Sequence, residues 1–227
     1  MNMEPVAVIH TDFPDKFGIP RQSGMLSSLE STITFLEPFS APEAVRGLNG
    51  YSHLWLIWLF DRNENAARPH LTVRPPRLGG NTRMGVFATR SPFRPNPIGL
   101  SCVRLERIGT DSSGHTVLTV TGADLCDGTP ILDIKPYIPY TDSHPEALSG
   151  FSVDEEGHVL RVVCAEEMLS VIPAEKREGL LRLLSLDPRP AYQKDGREYG
   201  VSFCGFNVRF SVEKECLTVH EILPAGR

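Results

Sequence analysis

The sequence predicts a mainly β protein that carries a small α+β portion at its C-terminal end. Among the 227 residues, short apolar runs alternate with turn signals, a pattern typical of short strands. Glycine and proline are frequent, with 19 residues of each, which favours many turns over long helices. The composition, 41% hydrophobic and 22% charged, is close to the globular average and excludes a wholly disordered or fibrous chain.

Seven apolar runs, several of them rich in Val, Ile or Thr, are candidate strands: 6–10, 31–35, 53–60, 84–87, 101–108, 116–121 and 131–134. Segments rich in Gly and Pro separate them. The longest apolar run has only strand length, whereas a helix that spans a bilayer needs roughly 20 residues. Because the N-terminus also lacks a signal-peptide pattern, we expect a cytoplasmic protein with no membrane partner.

The last third of the chain has a different pattern. Pro173 is a suitable first residue for a helix, four leucines between 180 and 184 give this helix an apolar stripe, and Asp187-Pro188 ends it. Two strands are expected to follow, at 201–210 and 217–222. We therefore expect two domains, 1–145 and 146–227, joined through a linker at about 143–157.

The charge is unevenly distributed. The whole chain has a net charge of −5. Between residues 62 and 107, however, there are nine arginines, no lysine and only two acids, so this segment carries 9 − 2 = +7. Guanidinium groups bind phosphates and carboxylates in a bidentate way. The segment is either a surface for RNA or phosphate or a solvated face with scattered ion pairs.

The most informative segment is Arg-Ser-Pro-Phe-Arg-Pro-Asn-Pro-Ile-Gly at 90–99. Its three prolines restrict φ and bias the residues before them towards extended geometry. The loop is therefore stiff, and it presents Arg90, Arg94 and Asn96 in defined directions. The alternative is a purely structural turn into the next strand.

A second segment, 124–140, combines an Asp-Gly turn with a short strand. Alternation from Ile131 places Asp133 and Lys135 on one face of that strand. An acid and a base two residues apart form either a structural ion pair or part of a site. Prolines then position Tyr137 and Tyr140. Aromatic rings in such a place would stack on a base or on a cofactor adenine, but packing against the protein is the favoured role of each tyrosine taken alone.

Several enzyme signatures are absent from the sequence. It contains no G-x-G-x-x-G, Walker A, G-x-S-x-G or H-E-x-x-H motif. Its five cysteines form no C-x-x-C pair, and its seven histidines lack metal-ligand spacing. We therefore expect reduced, buried thiols and no metal.

Four segments together resemble one family. They are VRGLNGYSHLWLIWLF, TVRPPRLGGNTRMGVFATRSPFRPNPIGLS, DGTPILDIKPYIPY and DPRPAY with FNVRF after it. These strings are similar to those of the TsaA-like (TrmO) family of tRNA methyltransferases. The resemblance runs through nearly the whole chain, and it implies a β-barrel that binds S-adenosylmethionine (SAM) without a Rossmann glycine loop, commonly as a homodimer.

The same resemblance implies an activity and a cofactor pocket. The activity is methylation of N6 of threonylcarbamoyladenosine next to the anticodon, at position 37 of tRNA for threonine. The implied SAM-binding residues are Pro20, Arg21, Gln22, Asp61, Arg62, Arg90, Leu100, Leu125, Cys126, Asp127 and Gly128.

A mechanism follows from the chemistry of the acceptor. The carbamoylated N6 is a poor nucleophile with an acidic N–H, so a base that removes the proton would help by about 10²–10⁴-fold. Asp133 is our first candidate, with Lys135 orienting it or holding the threonyl carboxylate, and with Asn96 presented by the stiff loop as a further catalytic candidate. The alternative is that no base acts and positioning suffices.

The remaining candidates concern the tRNA anticodon stem-loop. We expect the substrate-binding residues to be Arg74, Arg77, Arg94, Tyr137, Arg189, Tyr192 and Asn207. Three alternatives stay open: a SAM-dependent methyltransferase of another RNA or small molecule, a non-catalytic RNA-binding barrel, and a phosphate-binding regulator.

Overall fold

A computed structural model describes residues 3–62, 71–152, 159–189 and 196–225. In chain order the strands are β1 (Ala7–His10), β2 (Glu30–Phe35), β3 (His53–Leu59), β4 (Thr72–Val73), β5 (Met84–Gly85), β6 (Ile98–Thr110), β7 (Thr116–Thr121), β8 (Thr129–Pro136), β9 (Arg161–Val163), β10 (Glu198–Phe203), β11 (Phe206–Glu213) and β12 (Cys216–Pro224). The helices are α1 (Pro139–Asp142), α2 (Glu166–Leu169) and α3 (Ala174–Ser185). The prediction of a mainly β protein is confirmed.

Six strands form a closed barrel in the order β1-β2-β7-β6-β3-β8, and every neighbouring pair is antiparallel. Strand β3 shows how the sequence sets the wall, because Leu54, Leu56 and Trp58 point into the buried core while the residues between them are partly exposed. At the barrel end where β3 meets β6, the Trp58 ring lies against Gly99. A Cβ at residue 99 would come within 2.2 Å of that ring, so only glycine fits there.

Three connections between strands leave the same end of the barrel. Strands β1, β3 and β7 end there, and β2, β6 and β8 begin there. The connections are therefore 11–29, 60–97 and 122–128. We call this end the rim.

The outer wall next to the rim is formed by β6, β3 and β8. Leu100 lies opposite Ile57, and Ile57 lies opposite Asp133, so these three residues form one row across three strands. Adjacent strands are about 4.8 Å apart, which puts Leu100 and Asp133 about 10 Å from each other.

The C-terminal part is a four-stranded sheet, in the order β10-β11-β12-β9, that packs on α2 and α3. Helix α3 begins after Pro173 as expected, and Leu180, Leu183 and Leu184 form its buried stripe. The core of this part also includes Phe13, Leu26 and Leu29, which belong to the rim loop 11–29. A Cβ at Gly179 would lie 2.1 Å from Leu29, so glycine allows the helix to approach the loop.

Polar contacts join the same two parts. The Lys176 ammonium donates to the Asp12 carboxylate at 2.6 Å, and the two side chains are only 20% and 12% exposed. The Cys204 amide donates to the Asp12 carbonyl at 2.9 Å. The domain boundary expected at 145/146 stays a prediction, and the C-terminal sheet is the surface on which loop 11–29 rests.

Three local expectations differ from the structure. The run 84–87 is a strand only at Met84–Gly85, and Val86–Ala88 turns into a 3-10 helix. The run 201–210 is a hairpin and not one strand, because Cys204 and Gly205 both take positive φ and reverse the chain. Strand β9 was not expected; it pairs in parallel with β12.

No helix among the described residues is long and apolar enough to cross a membrane.

Candidate active site

The guanidinium of Arg62 ties two rim loops together. It donates to the Pro14 carbonyl at 2.5 Å and to the Asp127 carbonyl. The Lys16 ammonium donates to the Arg62 carbonyl at 2.5 Å, so Arg62 has a second hydrogen bond to loop 11–29. Gly128 has a φ of 78°, and a Cβ there would lie 3.9 Å from the Arg62 guanidinium. The structure therefore brings the expected pocket residues Arg62, Asp127 and Gly128 together.

The carboxylate of Asp127 also organises the end of β1. It accepts a hydrogen bond from the Thr11 amide at 3.1 Å and lies 3.3 Å from Nδ1 of His10. The Thr11 hydroxyl donates to the Leu125 carbonyl at 3.1 Å. Leu125 and Cys126 are themselves buried, and Leu125 belongs to the barrel core.

A second contact joins the stiff loop to loop 11–29. The guanidinium of Arg90 donates to the side-chain carbonyl of Gln22. The Cys102 amide donates to the Ser23 hydroxyl at 3.1 Å, and the Gly24 amide donates to the Gly122 carbonyl at 2.8 Å. Arg90 and Gln22, two residues that the family resemblance placed in one pocket, are therefore in direct contact.

Asp124 is a rim residue that sequence reasoning missed. Its carboxylate accepts a hydrogen bond from the Ser101 hydroxyl at 2.5 Å, and Ser101 accepts one from the Trp58 indole at 2.9 Å. The signal was an acid inside the run TGADLCDGT, whose neighbours are mostly small or apolar. A carboxylate in such a run must find partners when it is buried.

Burial raises the pKa of the Asp124 carboxyl, although the hydrogen bond from Ser101 and the positive charge of Arg90 act in the opposite direction. Asp124 lies three residues before Asp127, whose carbonyl accepts a hydrogen bond from Arg62. Burial also raises the pKa of the Cys126 thiol, so this cysteine stays protonated at neutral pH.

The outer wall carries Leu100, Asp133 and Lys135. Leu100 is 57% exposed, and the ammonium of Lys135 lies 3.3 Å from the Asp133 carboxylate in an ion pair that faces solvent. Asp133 is four residues beyond Thr129, which is about 13 Å of strand away from the rim. Tyr137 lies farther along and packs against Trp55 and His53, with ring centroids 5.6 and 6.2 Å apart, so it does not meet the rim loops.

The described part of the β3–β6 connection, 71–97, extends from the rim; we call it the arm. The hairpin of β4 and β5 and two 3-10 helices, Pro76–Leu78 and Val86–Ala88, give the arm its shape. Arg74 is exposed, and Arg77 lies in the first of these short helices. Arg94 donates to the Thr89 carbonyl at 3.0 Å, and Asn96 is exposed two residues before β6.

Arg21 reaches the C-terminal part. Its guanidinium donates to the carbonyls of Asp187 and Arg189 at 3.2 and 3.4 Å. Arg189 forms an ion pair with Asp187 at 2.8 Å in which both side chains are largely buried. Asn207 lies on β11, and its Oδ1 is buried without a hydrogen-bond partner among the described residues. Tyr192 lies outside the described residues, and so do Arg62's neighbours from residue 63 to residue 70.

The groups at the rim suit a small zwitterionic ligand. Arg62 and Arg90 supply guanidinium groups, Asp61 and Asp127 supply carboxylates, and Leu100 is an exposed apolar residue on the β6 wall. SAM carries a carboxylate, an ammonium, a sulfonium and an adenosine, so this mixture of charges and apolar surface fits it. Within the part of the chain that the structure describes, no group of three or more His, Cys, Asp or Glu could hold a metal ion.

A closed antiparallel barrel with charged rim loops and a small C-terminal sheet defines a class of non-Rossmann, barrel-type proteins. Two family models match this chain: the tRNA-methyltransferase O N-terminal domain at residues 8–143 and the TrmO C-terminal domain at residues 161–225. The chain therefore belongs to the TrmO family, as the resemblance indicated.

Named relatives agree with this assignment. The tRNA (adenine(37)-N6)-methyltransferase of Escherichia coli is 41% identical over 231 residues, which is 97% of each chain. A Pseudomonas aeruginosa protein with the provisional name S-adenosylmethionine-dependent methyltransferase RcsF is 41% identical over 92% of this chain and 91% of its own length. A crystal structure of TrmO from Pseudomonas aeruginosa superposes with a TM-score of 0.77 at 34% identity and covers 98% of both chains.

Proposed function

We propose that this protein is a SAM-dependent tRNA methyltransferase that methylates N6 of threonylcarbamoyladenosine at position 37, in tRNA for threonine. The observation that carries the proposal is the convergence of loops 11–29, 60–97 and 122–128 at one end of the barrel. Those loops contain ten of the eleven residues that the family resemblance assigns to the cofactor, and Leu100 lies on the wall beside them. The names of the relatives support both the activity and the cofactor.

Under this proposal the rim residues hold the cofactor. Arg90 and Gln22 would bind its carboxylate end, and Asp61 and Asp127 would accept hydrogen bonds from its ammonium or hydroxyl groups. When bound, SAM supplies a methyl group on a sulfonium centre. Pro20, Arg21 and the 125–128 turn would shape the pocket, and Leu100 would cover its apolar side.

Asp133 is our candidate for the base. Its carboxylate is accessible, it lies in the same row of the outer wall as Leu100, and it would accept the N6 proton of the substrate. Lys135, 3.3 Å away, would orient that carboxylate or bind the threonyl carboxylate of the modified base. Asn96, at the end of the arm, would donate to the substrate from the other side.

The arm and the C-terminal part would bind the tRNA. Arg74, Arg77 and Arg94 would contact phosphates or the substrate carboxylate, and Arg189 and Asn207, together with Tyr192 and Tyr137, would contact the stem-loop from the C-terminal part and the outer wall. Phosphate contacts make RNA affinity depend on salt. Because tRNA is the substrate, we also place the protein in the cytoplasm.

The outer wall supports a homodimer. Ile98 and Leu100 are 37% and 57% exposed on β6, and Ile57 lies beside them on β3, so the wall presents apolar surface to a second copy of the chain. In such a dimer the pocket near Leu100 would be completed across the interface. Light scattering of the wild type and of Ile98→Glu tests this: we expect a dimer and a monomer respectively, and a monomeric wild type would refute the dimer.

The central experiment uses the purified protein, SAM and tRNA for threonine that carries threonylcarbamoyladenosine. We expect calorimetry to show SAM binding and mass spectrometry to show one added methyl group on that nucleoside. Asp133→Asn should lower single-turnover methylation by about 10²–10⁴-fold and leave the Kd for SAM within about twofold. Glu43→Gln, an exposed carboxylate at the opposite end of the barrel, is the control.

The alternatives give different results. A protein that binds RNA but not SAM would be a non-catalytic barrel, and one that binds anions alone would be a phosphate-binding regulator. Methylation of another nucleoside would keep the enzyme class and refute the substrate. An unchanged single-turnover rate in Asp133→Asn would remove this residue as the base and leave positioning as the main contribution.

A further inference from the structure

Exposed apolar side chains cluster on the arm. Phe87 is 77% exposed, Leu71 is 79% exposed, and Phe93 is 45% exposed. Single exposed apolar residues are ordinary on protein surfaces. Here, however, the Val86 amide, next to Phe87, donates to the Leu71 carbonyl at 3.0 Å, so two highly exposed apolar residues belong to adjacent backbone segments.

The backbone under Phe87 is held firmly. Val86, the preceding residue, is buried and anchors the short helix Val86–Ala88. The Thr89 hydroxyl donates to the Val86 carbonyl at 2.9 Å, and the Arg94 guanidinium donates to the Thr89 carbonyl at 3.0 Å. The aromatic ring is therefore presented to solvent by a pre-organised loop, which lowers the entropy lost when a ligand binds.

The same loop is linked to Phe93. The Thr89 hydroxyl accepts a hydrogen bond from the Ser91 amide at 3.3 Å, and the Ser91 hydroxyl accepts one from the Phe93 amide at 3.2 Å. Side chain to backbone bonds of this kind fix turns. The two phenylalanines thus stand on one rigid segment.

The charge around these rings selects the kind of ligand. Residues 71–100 contain five arginines and no acidic residue, a formal charge of +5. Arg74 and Arg83 are exposed and form no salt bridge among the described residues. Two copies of the arm would repel each other, whereas unpaired RNA bases offer flat rings on a polyanionic backbone.

We infer that Phe87 is a stacking platform for an unpaired base of the anticodon loop, with Phe93 as a second aromatic contact on the same segment. This inference rests on the proposed function, because it names the RNA element that the arm binds. The arginines of the arm bind phosphates on either side, and the ring of Phe87 binds a base face without reading its identity.

The test compares four full-length proteins: wild type, Phe87→Leu, Phe87→Trp and Leu71→Ala. The probe is a synthetic anticodon stem-loop RNA of the threonine tRNA, and SAM binding is measured in parallel. Phe87→Leu keeps apolar bulk but removes the aromatic face, so we expect about tenfold or greater loss of RNA affinity with an unchanged Kd for SAM. Leu71→Ala, the matched exposed residue, should change RNA affinity less than twofold.

Phe87→Trp adds a direct signal. We expect near wild-type affinity and quenching of the added indole fluorescence when the RNA binds, because a stacked base quenches the indole. Equal RNA affinity of Phe87→Leu and wild type would overturn the inference and leave the proposed function intact. A wild type that binds neither SAM nor RNA would overturn the proposed function as well. Loss of a dimer in Phe87→Leu would instead show that a second copy of the chain covers the ring.

Discussion

The rim carries two sets of arginines, one fixed by contacts between its loops and one exposed on the arm. In the first set, Arg62 donates to two backbone carbonyls, and Arg90, the arm residue that contacts loop 11–29, donates to Gln22. On the arm, Arg74 and Arg83 are exposed and form no salt bridge within the described residues. Fixed guanidinium groups suit a small ligand that needs one geometry, whereas solvated groups suit a large polyanion that is attracted from a distance.

Loop 11–29 and the arm also differ in what they pack against. The rim loop 11–29 is packed into the core of the C-terminal part. The strand pairing within the described residues of the arm is only the two-residue ladder of β4 and β5. Changes at the rim should therefore affect stability and cofactor binding together. Changes at the exposed arginines of the arm, Arg74 and Arg83, should affect RNA binding alone.

The largest effect is expected from Lys176→Met, which removes the partner of Asp12. The pair is mostly buried, so the remaining carboxylate would be left without its charge partner, and the free energy of unfolding should fall by about 3 kcal/mol. Urea unfolding measures this. Adding Asp12→Asn should restore part of the loss; a Lys176→Met variant as stable as wild type would show that the rim does not depend on this anchor.

Arg90→Met should weaken SAM binding. A hydrogen bond to a charged group contributes about 1.5–3 kcal/mol, which corresponds to roughly 10–150-fold in Kd. Calorimetric titration gives the value, and Arg46→Met, an exposed arginine at the opposite end of the barrel, is the control. Wild-type SAM affinity in both variants would contradict the proposal that the rim binds the cofactor.

The double variant Arg74→Gln with Arg83→Gln should act only on RNA. Each lost phosphate contact lowers the slope of log affinity against log salt by about 1. RNA titrations at several salt concentrations measure that slope, and SAM affinity and stability should stay unchanged. Parallel salt plots for the variant and the wild type would contradict the role of the arm.

The smallest effect concerns pH. The pKa of Asp124 is raised in the folded protein, chiefly by burial, so the folded state holds this proton more tightly than the unfolded chain does. The contribution of Asp124 to the free energy of unfolding should therefore fall as pH rises above about 4, where the unfolded carboxyl ionises. Asp124→Asn cannot ionise, so its stability relative to wild type should increase from pH 4 to pH 8 in denaturant titrations. A constant difference would mean that Asp124 does not titrate differently on folding.

Much of the barrel was predictable from the sequence because its strands alternate or form continuous apolar runs. Strand β7 matches the predicted range 116–121, and β3 differs by one residue at its end. The hairpin at Cys204–Gly205 was missed because the strong β tendency on both sides of the turn concealed a two-residue reversal. The helix at Val86–Ala88 was missed because Val and Phe favour strands when they are considered alone.

The site was predictable from motifs rather than from physics alone. Arg90 and Gln22 are 68 residues apart, and only the family resemblance joined them before the structure did. Asp124 escaped notice because its partner, Ser101, lies on β6, and the Trp58 indole that donates to Ser101 lies on β3. Nothing in the sequence indicated that Phe13, Leu26 and Leu29 pack against the C-terminal sheet, since apolar residues near a barrel are equally suited to the barrel's own core.

That packing has a consequence for the order in which the protein matures on the ribosome. Loop 11–29 is made early, but the core into which it packs extends to Ile222, about 190 residues later. At roughly 5–20 residues per second, the loop would wait about 10–40 s for its partner. The barrel strands of a nascent chain would therefore be complete before loop 11–29 is packed in place. An unfinished polypeptide would not bind the cofactor at this loop and would be unable to modify RNA.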